Sequence, residues 1–413
     1  MGYIEIVMIS LIGLFLITGA LWGLIRGRNR ALVRFGLVAV SAILAFALRG
    51  VFADLVLSIK YQDVALRDWI INLLNESGTT LPASMESIAL TLVEIIVGIV
   101  VFIVSFFAIK TITWLVVFPI IKIFVKKEFP KRMVQGMCIG LVQGLLIAFV
   151  VCVPINGLIV HAHQLTSLEI NGEQIVQIPE EIGLDGYVES VPSNVISFGG
   201  GWFYNELSSK QTSDGLEVSV DSIVNITTTA ADISAEITVL QEKIDYLASD
   251  TTSDADVAPA IDDIGNSLIS VGGKLNALKD KDKALVDAVL VDAKELVKNE
   301  DGTIDPEVEK IFNGLSIDDL NLDSLGAALK EVAVYVELVR NESTAEFSHN
   351  QIDVIIDGFE ENPLTMDIVL GAEGMESLVS VREQDKASFN EAINNSTLDE
   401  EEKDALKKFF GIS

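Results

Sequence analysis

The chain opens with four long apolar runs and continues with shorter stretches in which apolar residues recur every three or four positions. Ile6–Ile25 holds 20 residues without a charge, about what an α-helix needs to cross roughly 30 Å of hydrocarbon. Phe35–Leu48 is charge-free for only 14 residues between Arg34 and Arg49. Both of those side chains can snorkel toward the headgroups, so a span over 31–53 is predicted. Ile88–Ile109 is interrupted by Glu94 and closed by Lys110, which predicts a third span over 88–110. Met133–Val160 carries no charge over 28 residues and predicts a fourth over 133–160, with Pro154 ending or kinking it. Between the last two, apolar character continues to Phe124 but admits Lys122, Lys126 and Lys127, the pattern of an amphipathic stretch near the surface.

The rest of the chain has a different period. Residues 162–213 show little regular pattern and read as an irregular linker or small subdomain. Asn171-Gly172 there suits a tight hairpin turn, and Phe198-Gly-Gly-Gly-Trp202-Phe203 reads as a flexible turn with aromatic anchors. A phosphate loop would need a following Lys-Ser/Thr, which is missing. From about residue 214 the stripes are helical. Ile233, Ile237, Leu240, Ile244 and Leu247 form one, and Ile261, Ile264, Leu268, Val271, Leu275 and Leu278 form another. A polar turn at 249–254 separates them, so an antiparallel helical hairpin is expected. Further helices are predicted over 282–298, 305–313, 322–340, 350–359, 364–380 and 397–409, the last opened by a capping box of Thr397 and Glu400.

Charge divides the chain at the same place. The net charge of −30 is uneven: residues 1–161 hold 13 Lys and Arg against 8 Asp and Glu, whereas residues 162–413 hold 16 against 51. The architecture expected is therefore all-α: a four-helix transmembrane bundle over 1–161, then a mainly helical acidic extracytoplasmic domain over 214–413. An ordinary cytosolic enzyme is excluded, and nucleic acid is an unsuitable partner for so acidic a surface. Glu5 precedes the first run and Arg26, Arg28 and Arg30 follow it, the reverse of a cleaved signal peptide. The basic segments after span one and before span four belong in the cytoplasm by the positive-inside rule, which places both termini outside. Cys138 and Cys152 lie 14 residues apart on one predicted helix, about 21 Å of rise, so they cannot pair.

Small residues indicate how the spans associate. Gly19, Gly23 and Gly27 recur every fourth residue, as do Gly136, Gly140 and Gly144. Such faces let helix backbones approach closely, within one chain or between copies. The segment Gly23-Leu-Ile-Arg26-Gly27-Arg-Asn-Arg30, with the later glycine ladder behind a basic loop, resembles the signature of the colicin V production protein family over about residues 1–160. The chain departs from that pattern at Ala31, at Lys131-Arg132-Met133 and at Gln143. The resemblance implies a four-helix membrane protein acting in secretion of a toxin peptide or in envelope homeostasis, without a catalytic activity or cofactor. Its partners would be the lipid bilayer and an envelope or secretion component. Gly23, Arg26, Gly27, Arg30 and the three ladder glycines are the residues it carries over.

Other candidate chemistry is thin. Asp319, Asn321 and Asp323 have the first spacings of a calcium loop, but Ser324 and Lys330 stand at its glycine and glutamate positions. Asn299-Glu-Asp301-Gly302 lacks acids at the end positions, so helix capping explains both turns better. His161 and His163, with His349 as the chain's other histidine, fall short of a metal set. Glu94 is the intramembrane carboxylate of interest, and a pairing with Arg49 near the outer interface is expected. The alternative is an oligomeric transporter or channel subunit with Glu94 and Arg49 beside its path.

Overall fold

The structure is a computed structural model that describes residues 2–61, 64–69, 71, 83–125, 132–170, 173–174, 179, 182–212, 214–247, 253–296, 317, 320–343, 345, 347–362 and 379–412. It divides into two compact units, Met1–Leu168 with Gln174–Val224, and Glu169–Glu173 with Asn225–Ser413.

Four helices of the first unit are long and apolar enough to cross a membrane. They are α1 (Tyr3–Arg26), α2 (Arg28–Leu57), α3 (Ala83–Ile112) with its continuation, and α5 (Met133–Thr166). α2 and α3 outrun the predicted spans at both ends, because polar end residues that lie outside hydrocarbon still continue a helix. α3 is not followed by a separate surface stretch. It passes through a π-turn, Thr113–Val117, into α4 (Phe118–Phe124). Pro119 explains the turn: its ring clashes with the carbonyl four residues back, and the wider π geometry makes room. Of the two outcomes expected at Pro154, the helix does not end there but continues to Thr166. A short hairpin, β1 (Lys60–Tyr61) with β2 (Val64–Ala65), follows α2. The strands β3 (Glu169–Ile170) and β4 (Glu173–Gln174) pair after α5; the Asn171-Gly172 turn itself lies outside the described residues.

The described residues of the segment expected to be irregular are largely regular. It forms α6 (Leu184–Val188), α7 (Val191–Leu207) and the hairpin β5 (Ser209–Gln211) with β6 (Glu217–Ser219). Ser190 caps α7 and Pro192 stands in its first turn, a standard helix start. The three glycines read as a turn, 199–201, are helical. Gly200 lies where a Cβ would strike Val153, so the glycine is there for close packing on α5. Phe203 enters the bundle, with ring centroids 5.7 Å from Phe102 on α3 and 5.3 Å from Phe149 on α5. The opposite face of α7 is bare: Val191, Val195, Phe198 and Trp202 are all exposed, Phe198 to 95%.

In the second unit, α8 (Val220–Leu247, which begins in the first), α9 (Asp254–Asn276), α10 (Asp280–Leu296), α11 (Leu322–Arg340), α12 (His349–Glu360), α13 (Lys386–Asn395) and α14 (Glu400–Phe409) are described. α8 and α9 run antiparallel and are tied by polar side chains: Lys243 donates to Asp263 at 2.6 Å and Ser270 to Glu236 at 2.8 Å. The core gathers Ile261, Ile264, Leu325, Leu329, Ile355, Phe359, Phe389 and Phe410. α9 and α11 cross where Gly265 and Gly326 face each other's backbone. The final helix starts at Glu400, three residues later than predicted, with the box formed by Asp399 and Glu402; the Thr397 hydroxyl donates instead to Glu360. The predicted helices 305–313 and, but for Val379 and Ser380, 364–380 lie outside the described residues, while α13 was not foreseen.

Candidate functional site

The glycines of the signature fall into one contact. α1 and α5 run antiparallel, and a Cβ at Gly19 would stand 3.0 Å from the Gly144 Cα. One at Gly23 would stand 3.0 Å from the Gly140 Cα, and one at Gly136 3.0 Å from the Gly27 Cα. Each would also run into a carbonyl oxygen of the other helix, so backbone meets backbone with no side chain able to give way. Gly27 separates α1 from α2 by itself. Its φ of +77° is left-handed, a conformation that glycine adopts without penalty. Its N–H donates to the Gly23 carbonyl at 3.0 Å, and its own carbonyl accepts from Ala31 at 3.1 Å.

That one-residue reversal stacks arginines on aromatic rings. The Arg26 guanidinium lies 4.5 Å from the Trp22 ring centroid and 5.4 Å from that of Phe118 on α4. Arg34, two turns into α2, lies 4.8 Å from Trp22 and 5.8 Å from Phe118. Arg30 is separate, with its Nε buried and unpartnered. Beside the stack is a cavity of about 260 Å³. Trp22, Arg34, Lys110, Thr113, Trp114 and Gln143 are among its walls, and among the described residues no carboxylate is. Lys110 lies 5.2 Å from the Phe107 ring centroid, and Gln143 is buried. The π-turn supplies Thr113, whose hydroxyl donates to the Lys110 carbonyl at 2.9 Å and is 3.2 Å from that of Ser41.

The other end of the bundle holds Glu94 and Arg49, with the Arg49 Nη1 buried and unpartnered. The predicted pairing of Glu94 with Arg49 is not formed. Glu94 takes Lys210 of β5 at 2.5 Å and Arg67 at 3.4 Å, while Arg49 Nη2 donates to the Glu206 carbonyl at 2.5 Å. The reason is the ordered segment after α5, which places a lysine and a carbonyl closer than the neighbouring span can. The Arg49 guanidinium also lies 4.4 Å from the Phe46 ring centroid. Tyr187 donates to Asn156 Oδ1 at 2.6 Å, and Asn156 Nδ2 donates to Ser197 at 2.9 Å, joining α6, α5 and α7. Burial pushes the Tyr187 phenol up to about 12. His161 is stacked on Tyr204 and His163 lies 3.0 Å from Asp185, so each histidine has a local partner.

No family model, curated protein or solved structure matches this chain. Among the described residues no group of three His, Cys, Asp or Glu is placed to hold a metal ion. Of the calcium-like residues, Asn321 donates to Glu361 and Asp323 accepts from Asn276, each reaching the far end of another helix, and the Asn321 side chain makes no cap bond to α11; Asp319 and 299–302 lie outside the described residues. Sequence reasoning missed the cavity itself. Trp22 and Arg26 lie one turn apart, and Arg34 two turns beyond a glycine, but only the reversal at Gly27 brings all three together.

Proposed function

We propose that this chain is an integral membrane protein of a bacterial cell envelope, acting as a packed scaffold and not as an enzyme. Its role would be to support secretion of a toxin peptide or envelope homeostasis, as likeness to the colicin V production family implies. The acidic unit and both termini would lie outside the cell membrane. The observation that carries this reading is the shared contact of Gly23, Gly27, Gly136 and Gly140, the residues of the resemblance, beneath the stacked Arg26. The orientation is supported by Arg26, Arg28, Arg30 and Arg34 at one end of the bundle, where positive charge marks the cytoplasmic side. The transporter alternative gains less, because Glu94 and Arg49 are held by separate partners.

The test uses the native host with the gene deleted. Uptake of a membrane-impermeant dye and export of secreted peptides are measured before and after complementation. Wild-type protein should restore both, and Gly140→Leu should fail at equal membrane abundance. A deletion strain indistinguishable from its parent in both readouts would reject the envelope role.

A further inference from the structure

We propose that the cavity bounded by α1, α2, the π-turn and α5 is a phosphate-group site, filled by the headgroup of an anionic phospholipid from the adjoining leaflet. The inference goes beyond the scaffold reading: a secretion role could fail and the site still stand.

Charge argues first. Arg34 and Lys110 line one cavity; among the described residues no carboxylate stands in its wall and neither cation has an ion-pair partner. Two like charges in a half-buried setting oppose each other and resist removal from water. Ring contacts offset that only in part. The contrast with the other end of the bundle is direct, since Glu94 there meets two cations. An anion is what the basic end lacks.

Shape and lining narrow the class. At about 260 Å³ the cavity is smaller than the roughly 300–1,000 Å³ that encloses a whole drug-sized ligand. It fits a headgroup whose tails stay outside. Trp22 and Trp114 are each about 40% exposed at its edge, and indole rings favour the boundary between headgroups and acyl chains. Gln143, on α5, adds an amide donor from within the bundle. The walls come from helices of membrane-spanning length, so in a bilayer this basic end of the bundle would meet lipid headgroups. Those features favour a lipid phosphate over a free one.

The experiment reconstitutes the full chain, with Trp69→Phe and Trp202→Phe, so that Trp22 and Trp114 report. Vesicles contain phosphatidylglycerol and phosphatidylcholine, with bromine on the acyl chains of one or the other. Each cation near an anionic headgroup is worth about 1 kcal/mol, or about five-fold in affinity. Wild type should therefore prefer brominated phosphatidylglycerol by about 25-fold, falling to about five-fold in Lys110→Gln. Arg34→Lys serves as the charge-retaining control and should keep most of the preference. Equal quenching by both lipids, or a preference unchanged in Lys110→Gln, would overturn the proposal. Abolition of the preference by millimolar inorganic phosphate, at constant ionic strength, would overturn the lipid as its source.

Discussion

The backbone contact between α1 and α5 predicts opposite outcomes for the same substitution at different glycines. A methyl group at Gly140 would meet the Gly19 carbonyl oxygen and stand 3.1 Å from the Gly23 Cα. Ordinary carbon contacts begin several tenths of an ångström farther out, and the obstacle is backbone, so the helices must separate by roughly 1 Å. Overpacking of that kind costs about 1–3 kcal/mol. Separation also weakens the close Cα–H···O contacts that such faces permit, worth about 0.5–1 kcal/mol each. Gly13 lies on the same α1 with nothing within 4 Å of its would-be Cβ. There alanine removes only glycine's excess chain entropy, a gain of about 0.5–1 kcal/mol. The assay is unfolding of the purified chain from mild detergent into SDS, followed by far-UV circular dichroism. Gly140→Ala should unfold earlier than wild type and Gly13→Ala no earlier. If Gly140→Ala unfolds with or after wild type, the backbone interlock is wrong.

Four further outcomes follow. Gly27→Ala forces an L-residue into positive φ and should destabilise the chain by about 1–2 kcal/mol in the same assay. Lys210→Met leaves Glu94, whose side chain is only 12% exposed, with Arg67 alone, and should cost more than Glu94→Gln, which frees a lysine 43% exposed; the reverse order would reject the outer staple. Burial pushes the Tyr335 phenol up to about 12 from its usual 10. Its folded value lies above its unfolded one, so its contribution is whole below pH 10 and is lost as pH rises toward 12. The thermal stability of the acidic unit should therefore fall across that window, and Tyr335→Phe should flatten the dependence. The bare stripe of α7 predicts that Trp202, as the sole tryptophan, is quenched by brominated acyl chains; quenching by aqueous iodide alone would place that face in water.

The spans are legible in the sequence because charge-free length is nearly sufficient to specify a membrane helix. The glycine periods carry packing information as well, since a small residue every fourth position marks one helix face. α7 is harder to see because Gly199-Gly-Gly201 outweighs its pattern on propensity alone. Yet Val191, Val195, Phe198 and Trp202 follow helical spacing behind Ser190 and Pro192, a signal that could have identified it. The partners of Glu94 are hidden for another reason. Lys210 is 116 residues away, and no local period encodes which loop folds back over a bundle. At the last helix two capping boxes overlap, Thr397 with Glu400 and Asp399 with Glu402. Burial of Leu398 and the Thr397 bond to Glu360 select the second. The cationic cavity needs both a positive-φ glycine and a π-turn, two backbone events that a hydropathy pattern does not register.

The central claim is a membrane bundle with its basic end in the cytoplasm and its acidic unit outside, and accessibility of Ser413 tests it most directly. A Ser413→Cys variant is made in a Cys138→Ser background, since Cys138 is exposed on α5 while Cys152 is buried. Intact cells are then treated with a membrane-impermeant maleimide. The account predicts labelling without lysis. Labelling that occurs only after lysis would contradict it and move the acidic unit to the cytoplasmic face.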